Sequence, residues 1–261
     1  MTSRMFTTTQ SSQTDESNTL ARVVILKTGN TYPSLLESFG DFDNWFLAGL
    51  DPELDLHVVD VTVDDLPGKP GNWDGIVVTG SPAMVSDRAP WSEGTAAWLA
   101  EAVTEEVPVL GVCYGHQLLA HALGGEAGYH PQGRETGTHQ VELLDAAMDD
   151  PLFKGLPQTF PAQLTHRQSV LRLPENAVLL GRNEFEPHQA FRVGRCAWGI
   201  QFHPEFSAEV MRAYLKVQAP DLEKEGLDAK ALIENVIDAP NATSLLGRFS
   251  RLVLNGLPVD H

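Results

Sequence analysis

Short, continuous apolar runs alternate with longer segments of mixed polarity in the first half of the chain. Such runs are typical of strands in a parallel sheet that is covered on both faces. They predict strands at residues 22–29, 56–63, 73–79 and 107–110. Helices are predicted between them at residues 38–50 and 91–105, the second with apolar residues at helical spacing. The alternation predicts an α/β fold: a doubly wound, mostly parallel sheet of the flavodoxin-like type, with sites at the carboxyl ends of the strands.

The pattern changes after Gly124, which with Gly125 ends a helix predicted at residues 114–124. Shorter apolar segments predict strands at residues 138–144, 177–182, 189–193 and 195–202. Several of these strands would form a small antiparallel extension of the main sheet. C-terminal helices are predicted at residues 207–217, 222–237 and 241–255. The last helix carries an apolar stripe that indicates either packing onto the parent domain or a dimer or partner surface: Leu245, Leu246, Phe249, Leu252 and Val253.

A cysteine lies between two glycines where the fourth strand meets a helix, in the segment Gly111-Val112-Cys113-Tyr114-Gly115. A strand, a nucleophile and a helix in this order form a nucleophile elbow, here with a thiol. The turn is so sharp that glycines are needed two residues before and after the nucleophile. Cys113 would be exposed at the helix N-terminus, where unpaired N–H groups and the helix dipole favour a thiolate. Taken alone, the segment is equally compatible with a buried structural cysteine.

A second motif, Phe202-His203-Pro204-Glu205, follows the last predicted strand. In an extended chain His203 and Glu205 share a face, and Pro204 favours that conformation for His203. A carboxylate beside an imidazole orients the ring and stabilises its protonated form. Taken alone, the motif indicates a strand-end turn, and a metal site is disfavoured because no third ligand follows at a recognisable spacing. Combined with the elbow, it favours nucleophilic thiol catalysis by Cys113, His203 and Glu205.

The motifs Gly111-x-Cys113-x-Gly115-x-Gln117 and Phe202-His203-Pro204-Glu205 resemble those of the class I (triad) glutamine amidotransferases. The resemblance is strongest to the glutaminase domain of GMP synthetases and their stand-alone relatives, and it extends from about Val23 to about Tyr214. It implies that the substrate is glutamine or another γ-glutamyl compound and that no cofactor is used. The chain would then contain a disordered segment at residues 1–20, the amidotransferase domain at residues 21–217 and a helical extension at residues 218–261.

Three further segments match the pattern of this family in order. Val77-Val78-Thr79-Gly80-Ser81-Pro82 stands where the family has a Gly-Gly-Pro turn, which implies that Gly80 and Ser81, with Tyr114, donate backbone N–H groups to an oxyanion. Gly133-Arg134-Glu135-Thr136-Gly137 resembles an Arg-Glu-Tyr/Phe-Gly segment, and Leu164-Thr165-His166-Arg167-Gln168-Ser169-Val170 resembles a Ser-His-Gly-Asp-x-Val segment. The resemblance implies four substrate-binding residues: Gln117, Arg134, His166 and Gln168.

Two departures from the family pattern bear on the substrate. Ser81 replaces a glycine, which is a mild change because the oxyanion contact uses backbone atoms. Arg167-Gln168 replaces Gly-Asp near the place where relatives hold the amino-acid end of glutamine. The substrate is therefore less firmly specified than the triad.

Composition and charge exclude several classes of partner. Lysine and arginine number 18 against 35 acidic residues, a net charge of −17, which argues against binding to nucleic acid or an anionic membrane. The two cysteines, Cys113 and Cys196, have no disulfide or metal-site spacing, which favours a reducing cytoplasmic location. No apolar run approaches the roughly 20 residues of a membrane span, and the N-terminal residues lack the apolar core of a signal peptide.

Three functions are compatible with these observations. The first is a glutamine amidotransferase that delivers ammonia to a separate synthetase subunit, since no phosphate-binding or pyrophosphatase motif is present in this sequence. The second is a free-standing hydrolase of γ-glutamyl peptides or conjugates, to which Arg167 and Gln168 would be an adaptation. The third is a regulatory subunit without turnover, and the intact Cys113, His203 and Glu205 argue against it.

Overall fold

A computed structural model describes residues 20–257, so nearly all of the segment predicted to be disordered lies outside the described residues. The strands are β1 (Arg22–Lys27), β2 (Asp55–Asp60), β3 (Gly75–Val78), β4 (Val109–Val112), β5 (Glu126–Tyr129), β6 (Glu135–Leu143), β7 (Thr159–His166), β8 (Gln168–Arg172), β9 (Val178–Arg182), β10 (Ala190–Val193) and β11 (Ala197–Ile200). The α-helices are α1 (Pro33–Phe39), α2 (Phe42–Gly49), α3 (Pro90–Thr104), α4 (Tyr114–Ala122), α5 (Ala208–Lys224), α6 (Ala229–Glu234) and α7 (Pro240–Asn255).

Nine of these strands form one sheet in the order β2-β1-β3-β4-β11-β10-β9-β6-β7. The first five are parallel, and their order is that of flavodoxin-like folds. The other four extend the sheet as antiparallel neighbours, and β5 pairs with β8 in a separate two-stranded sheet. The predicted doubly wound α/β fold with an antiparallel extension is therefore confirmed.

Alternate residues of the central strands contribute to cores on opposite faces of the sheet. In β1, Val23 and Ile25 belong to one apolar cluster, whereas Val24 and Leu26 belong to another. The first cluster contains side chains from α2 and α7, and the second contains side chains from α3 and α4. Because both faces are covered, these strands are apolar at consecutive positions rather than at every second one.

The apolar stripe of α7 packs against the parent domain. Leu245, Leu246, Phe249 and Val253 are buried in the same cluster as β1 and β3. Contact is close: a Cβ atom added at Gly49 would lie 2.3 Å from Leu246 Cδ1. Of the two interpretations of this stripe, the structure supports intramolecular packing. The division of the chain at residue 217 stays a prediction.

The helix predicted at residues 38–50 is two helices. Gly40, with a φ of 76°, ends α1. Asp41 then begins α2 through a capping box in which its side chain accepts from the first turn and the side chain of Asn44 accepts from its N–H. The prediction of one continuous helix was wrong at this point. Gly40 followed by Asp41, with Asn44 three residues later, is a recognisable signal for the end of one helix and the start of the next.

The C-terminal helices also differ from the prediction. Helix α5 continues to Lys224 with Pro220 inside it, whereas the predicted helix ended at residue 217. Proline leaves the carbonyl four residues earlier without its helical donor, which is why its presence favoured an early end. Leu222, beyond the proline, is fully buried, and its packing offsets this cost. The strands β5, β7 and β8 were not predicted. Two residues implied to bind substrate lie in them, since β7 ends at His166 and β8 begins at Gln168.

Candidate active site

Cys113 occupies the turn between β4 and α4 with a φ of 52° and a ψ of −99°. A positive φ is unfavourable for a residue with a Cβ atom, so the surrounding structure must impose it. The glycines of the elbow are required sterically. A Cβ atom at Gly111 would lie 2.5 Å from the Gly115 carbonyl oxygen, and one at Gly115 would lie 2.5 Å from the Val78 carbonyl oxygen. The nearest neighbours are thus backbone oxygens of the elbow and of β3, which a side-chain rotation cannot move away.

His203 and Glu205 form a buried pair just beyond β11. His203 Nδ1 lies 2.7 Å from Glu205 Oε1, and the two side chains are 2% and 0% exposed. The backbone N–H of His203 donates to the Gln163 carbonyl at 2.8 Å. This hydrogen bond connects the loop after β11 to β7, the last strand in the order of the sheet. His203 Nε2 has no hydrogen-bond partner within residues 20–257, so the atom that faces away from Glu205 is uncommitted.

The electrostatic setting of His203 favours its charged form. Burial alone would lower the pKa of the imidazole, but the charges of Glu205 and Cys113 outweigh this and raise the pKa to about 10. The raised pKa favours the protonated form of the ring.

Gly80 brings the two motifs together at the carboxyl edge of the parallel strands. A Cβ atom at Gly80 would lie 3.0 Å from His203 Cε1 and 3.7 Å from Cys113 Cβ. The sulfur and the imidazole are not hydrogen-bonded to each other; Cys113 Sγ instead lies 3.8 Å from the Thr165 carbonyl oxygen. Cys113 is 6% exposed, so the expectation of an exposed cysteine is wrong. The closely packed elbow buries most of the residue.

A cleft of about 430 Å³ opens over this edge, and Cys113 and His203 both line it. Ser81, Tyr114 and all four residues implied to bind substrate line the same cleft. Its other walls include Tyr32, Phe42, Tyr214, Gln218 and Asp221, from the loop before α1, from α2 and from α5. The structure therefore brings the residues predicted from separate segments to one cavity, with Gly80 and Glu205 in contact with His203 behind it.

The candidate oxyanion donors are uncommitted. The backbone N–H groups of Gly80, Ser81 and Tyr114 donate to no protein acceptor within the described part of the chain. The hydroxyl of Ser81 donates to the Thr28 carbonyl at 2.6 Å and accepts from the Ala83 N–H at 3.1 Å. Ser81, which replaces a glycine of the family pattern, therefore stabilises the turn through its hydroxyl, and its backbone N–H stays available to a ligand.

Gln117 and Gln168 are held mainly by other protein groups. The Gln117 amide donates to the Gln168 carbonyl at 2.7 Å and to the Gln201 side chain at 3.0 Å. The Gln168 side chain hydrogen-bonds to the hydroxyl and the backbone N–H of Ser86. Both residues fix the shape of the cleft wall, whatever further contact they make with a ligand.

His166 belongs to a second buried histidine–glutamate pair. Its Nδ1 lies 2.9 Å from the Gln168 carbonyl oxygen, and its Nε2 lies 2.9 Å from Glu135 Oε2. Both ring nitrogens thus face acceptors within the protein. Burial opposes ionisation of Glu135, but the hydrogen bond and charge of His166 lower the pKa of this carboxyl below its usual value. Neither ring nitrogen is directed to Cys113, in contrast to the uncommitted Nε2 of His203.

Several residues of the site were missed in the sequence. Phe206 stacks on His203 with ring centroids 4.2 Å apart. Glu225 pairs with Arg134 at 2.9 Å from the end of α5. Phe206 directly follows the second motif and could have been considered, whereas nothing in the sequence near Glu225 indicated that it pairs with an arginine of the cleft wall.

Comparison with known proteins identifies the family. A profile described as glutamine amidotransferase class-I matches residues 47–219. The GMP synthase (glutamine-hydrolyzing) of Aeropyrum pernix is 36% identical over 168 residues, which cover 62% of the chain but only 31% of that protein. One subunit of the GMP synthase (glutamine-hydrolyzing) of Methanopyrus kandleri is 32% identical over 149 residues, which cover 55% of the chain and 75% of that subunit.

Solved structures agree with this assignment at the level of the fold. A glutamine amidotransferase from Thermotoga maritima superposes with a TM-score of 0.71 at 21% identity, covering 92% of the chain and 100% of that protein. None of the helices in residues 20–257 has the length and apolarity that crossing a membrane requires. The elbow, the histidine–glutamate pair and the profile match lead to one conclusion: the chain belongs to the class I glutamine amidotransferase family.

Proposed function

We propose that this chain hydrolyses the side-chain amide of glutamine and releases ammonia, with Cys113 as the nucleophile. The observation that carries the proposal is the arrangement at the cleft edge. Cys113 is held at a positive φ in the elbow, and the His203–Glu205 pair lies against the same Gly80 turn. A thiol, an imidazole and an orienting carboxylate at one cavity are the groups that acyl transfer needs.

In the first half of the reaction, the Cys113 thiolate attacks the side-chain amide carbon of glutamine. The N–H groups of Tyr114, Gly80 and Ser81 would stabilise the resulting oxyanion, and losing one such donor costs roughly 3–4 kcal/mol in comparable sites. The His203 imidazolium gives its Nε2 proton to the amide nitrogen. The carbon–nitrogen bond then breaks, ammonia leaves, and a γ-glutamyl thioester remains on Cys113.

In the second half, water attacks the thioester carbon and His203 accepts a proton from it. The carbon–sulfur bond breaks, which restores the thiolate and imidazolium, and the product leaves as glutamate once its new carboxyl group gives the second proton of the water to solvent. The Glu205 carboxylate, 2.7 Å from His203 Nδ1, helps to raise the pKa of the imidazole and so supports a protonated ring in the resting state. Cys113 Sγ and His203 Nε2 are not hydrogen-bonded to each other, but catalytic hydrogen bonds in unliganded enzymes are often long and tighten with substrate.

We further propose that the ammonia acceptor belongs to another polypeptide. The similarity to one separate subunit of the Methanopyrus kandleri GMP synthase supports this. Free cysteines at positions 113 and 196 suit a reducing compartment such as the cytoplasm. An amidotransferase of this kind on its own would hydrolyse glutamine slowly, because fast turnover without an acceptor wastes substrate.

The alternative, a free-standing γ-glutamyl peptidase, rests on Arg167, which lines the cleft and would pair with the carboxylate of a longer substrate. Its Nη2 already lies 2.7 Å from Glu225 Oε1, which weakens this argument. The test is kcat/KM of the purified chain on glutamine, on γ-glutamyl dipeptides and on glutathione, repeated with Arg167→Gly. A strong preference for the longer substrates that disappears in the variant would overturn the amidotransferase proposal.

A further inference from the structure

Two buried threonines stand at the carboxyl ends of β1 and β3, next to the turn that carries the candidate oxyanion donors. Thr28 follows β1 and Thr79 follows β3, and these strands are parallel neighbours in the sheet. The two residues are 1% and 0% exposed. The backbone N–H of Thr28 donates to Thr79 Oγ1 at 3.1 Å, and the two hydroxyl oxygens lie 3.2 Å apart. The ends of the two strands are thus joined through a pair of buried hydroxyl groups.

Both hydroxyl groups reach the carbonyl oxygen of Gly80. Thr28 Oγ1 and Thr79 Oγ1 each lie 3.0 Å from this oxygen. Thr28 Oγ1 also lies 3.1 Å from the Thr79 carbonyl oxygen, which already accepts from the Gly115 N–H at 3.2 Å. The Gly80 carbonyl is therefore the acceptor that the two hydroxyl groups share.

The direction of this carbonyl determines the direction of the next N–H group. In a trans peptide the carbonyl and the N–H of the same peptide plane point in opposite directions. Because the Gly80 carbonyl points to the threonines, the Ser81 N–H points away from them. This N–H donates to no protein acceptor within residues 20–257, and Ser81 lines the cleft. The threonines thus hold the peptide in an orientation that leaves its donor for a ligand.

The side chain of Ser81 adds a contact in the reverse direction. Its hydroxyl donates to the Thr28 carbonyl at 2.6 Å. Gly29 permits this approach, since a Cβ atom there would lie 2.7 Å from Ser81 Oγ and 2.9 Å from Pro82 Cδ. The turn and the end of β1 are therefore connected twice, once through the side chain of each partner.

We infer that Thr28 is a positioning residue of the oxyanion site. Together with Thr79, it holds the Gly80 carbonyl away from the cleft, so that the Ser81 N–H is directed to the oxyanion before substrate binds. A donor fixed in this way stabilises the developing charge without reorientation during the reaction. The inference rests on the proposed function, because it assumes that an oxyanion forms beside Cys113.

Steady-state kinetics of glutamine hydrolysis test the inference with Thr28→Val, which removes the hydroxyl and keeps the size and the backbone N–H. Complete loss of an oxyanion donor lowers kcat by about 10²–10³-fold in comparable sites. Since the Thr79 hydroxyl stays on the carbonyl, we expect a smaller loss in kcat, about 10-fold. KM should stay within about 2-fold, because this contact is made only in the transition state. Thr28→Ser keeps the hydroxyl and should retain kcat within about 3-fold of wild type.

Thr95→Val is the matched control. Thr95 is 0% exposed and donates its hydroxyl to the Trp91 carbonyl at 2.8 Å, but it is not among the residues that line the cleft. It also exchanges a buried threonine for valine, so we expect a similar loss of stability with kcat unchanged. Ser81→Ala removes the reverse contact. Its effect on kcat should combine less than multiplicatively with that of Thr28→Val, because both substitutions release the same peptide.

Crystal structures of the wild type and of Thr28→Val complete the test. We expect the Gly80 carbonyl to face the threonines in the wild type, and the peptide between Gly80 and Ser81 to rotate or to adopt two orientations in the variant. Equal kcat values in Thr28→Val and Thr95→Val, an effect confined to KM, or an unchanged peptide orientation in the variant would overturn the inference. Wild-type protein that releases no ammonia would contradict the proposed hydrolysis instead, and the two crystal structures would still decide whether Thr28 positions the Ser81 N–H.

Discussion

The imidazole ring of His203 stacks on the phenyl ring of Phe206, with ring centroids 4.2 Å apart and planes inclined by 27°. Phe206 is 2% exposed, and Trp45 contacts its ring edge-on at a centroid distance of 5.2 Å. The face of an aromatic ring attracts a cation, and a rigid stack also fixes the plane of the imidazole. Phe206 therefore stabilises the protonated ring and its orientation towards the elbow.

Replacing Phe206 with Leu should lower the pKa of His203 from about 10, because the charged ring loses its aromatic contact. NMR titration of the His203 ring measures this shift directly. Phe160→Leu is the control, since it removes a buried ring that contacts Phe202 at 5.9 Å. An unchanged His203 pKa in the Phe206 variant, or the same shift in the control, would contradict the assignment.

Stability should depend on pH through the same histidine. Its folded-state pKa of about 10 lies above the ordinary value of 6.5, so protonation contributes stability that is present below about pH 6.5 and is lost as pH rises through about 10. Glu205→Gln removes a charge that raises this pKa. The difference in free energy of unfolding between wild type and variant should therefore shrink across this window, as measured by urea denaturation. Glu209→Gln, at an exposed glutamate, is the control and should show no such dependence on pH. If the difference in free energy of unfolding for Glu205→Gln did not change with pH, the result would contradict a charged His203–Glu205 pair.

Activity should separate the two members of this pair. In the proposed mechanism Glu205 acts through His203, so Glu205→Gln should retain more glutamine hydrolysis than His203→Ala, which would remove the proposed proton donor and acceptor itself. The measurement is kcat/KM for ammonia release. A wild-type rate in His203→Ala would show that another base serves Cys113, and His166 would be the first to test.

The elbow glycine should be intolerant of even one methyl group. A Cβ atom at Gly111 would lie 2.5 Å from a backbone oxygen, whereas one at Gly94, exposed inside α3, would meet nothing within 4 Å. Gly111→Ala should therefore lower the free energy of unfolding by at least about 1–3 kcal/mol, the usual cost of overpacking a core. Gly94→Ala should stabilise it by about 0.5–1 kcal/mol. Urea denaturation measures both, and a neutral Gly111→Ala would contradict the steric account of the elbow.

The parallel half of the fold could be predicted because its strands are buried on both faces. Val23 to Leu26 are apolar at every position for that reason, and the run is visible without knowledge of any partner strand. The antiparallel half was harder. Strand β7 contains Thr159, Pro161, Gln163 and Thr165, and its pairing with β6 depends on contacts distant in sequence. Helix α5 was also predicted to end too early because Pro220 locally disfavours a helix. Burial of Leu222 in the next turn, which the sequence does not reveal, favours its continuation.

Site residues that stand close together in the sequence could be predicted from their motifs. Residues that reach the site only through the packing of distant elements could not. His203 and Glu205 come from one local motif, although Pro204 and Glu205 form a turn, with the Phe206 N–H donating to the His203 carbonyl, and not the extended segment that was predicted. The reach of Glu225 to Arg134 depends instead on the length and direction of α5. His166 lies in a motif-like segment, yet Glu135 and the Gln168 carbonyl occupy its ring nitrogens, an outcome that only the packed structure determines.

The central claim, that Cys113 is the nucleophile, is tested most directly by mass spectrometry after treatment with a diazo-ketone analogue of glutamine. Burial raises the pKa of the other thiol, Cys196, to about 11, so it stays protonated and unreactive near neutral pH. We expect one adduct, on Cys113, in the wild-type protein and in Cys196→Ala. No adduct should form in Cys113→Ala, which should also release no ammonia from glutamine while remaining folded. Labelling of Cys196, or hydrolysis that survives in Cys113→Ala, would contradict the account.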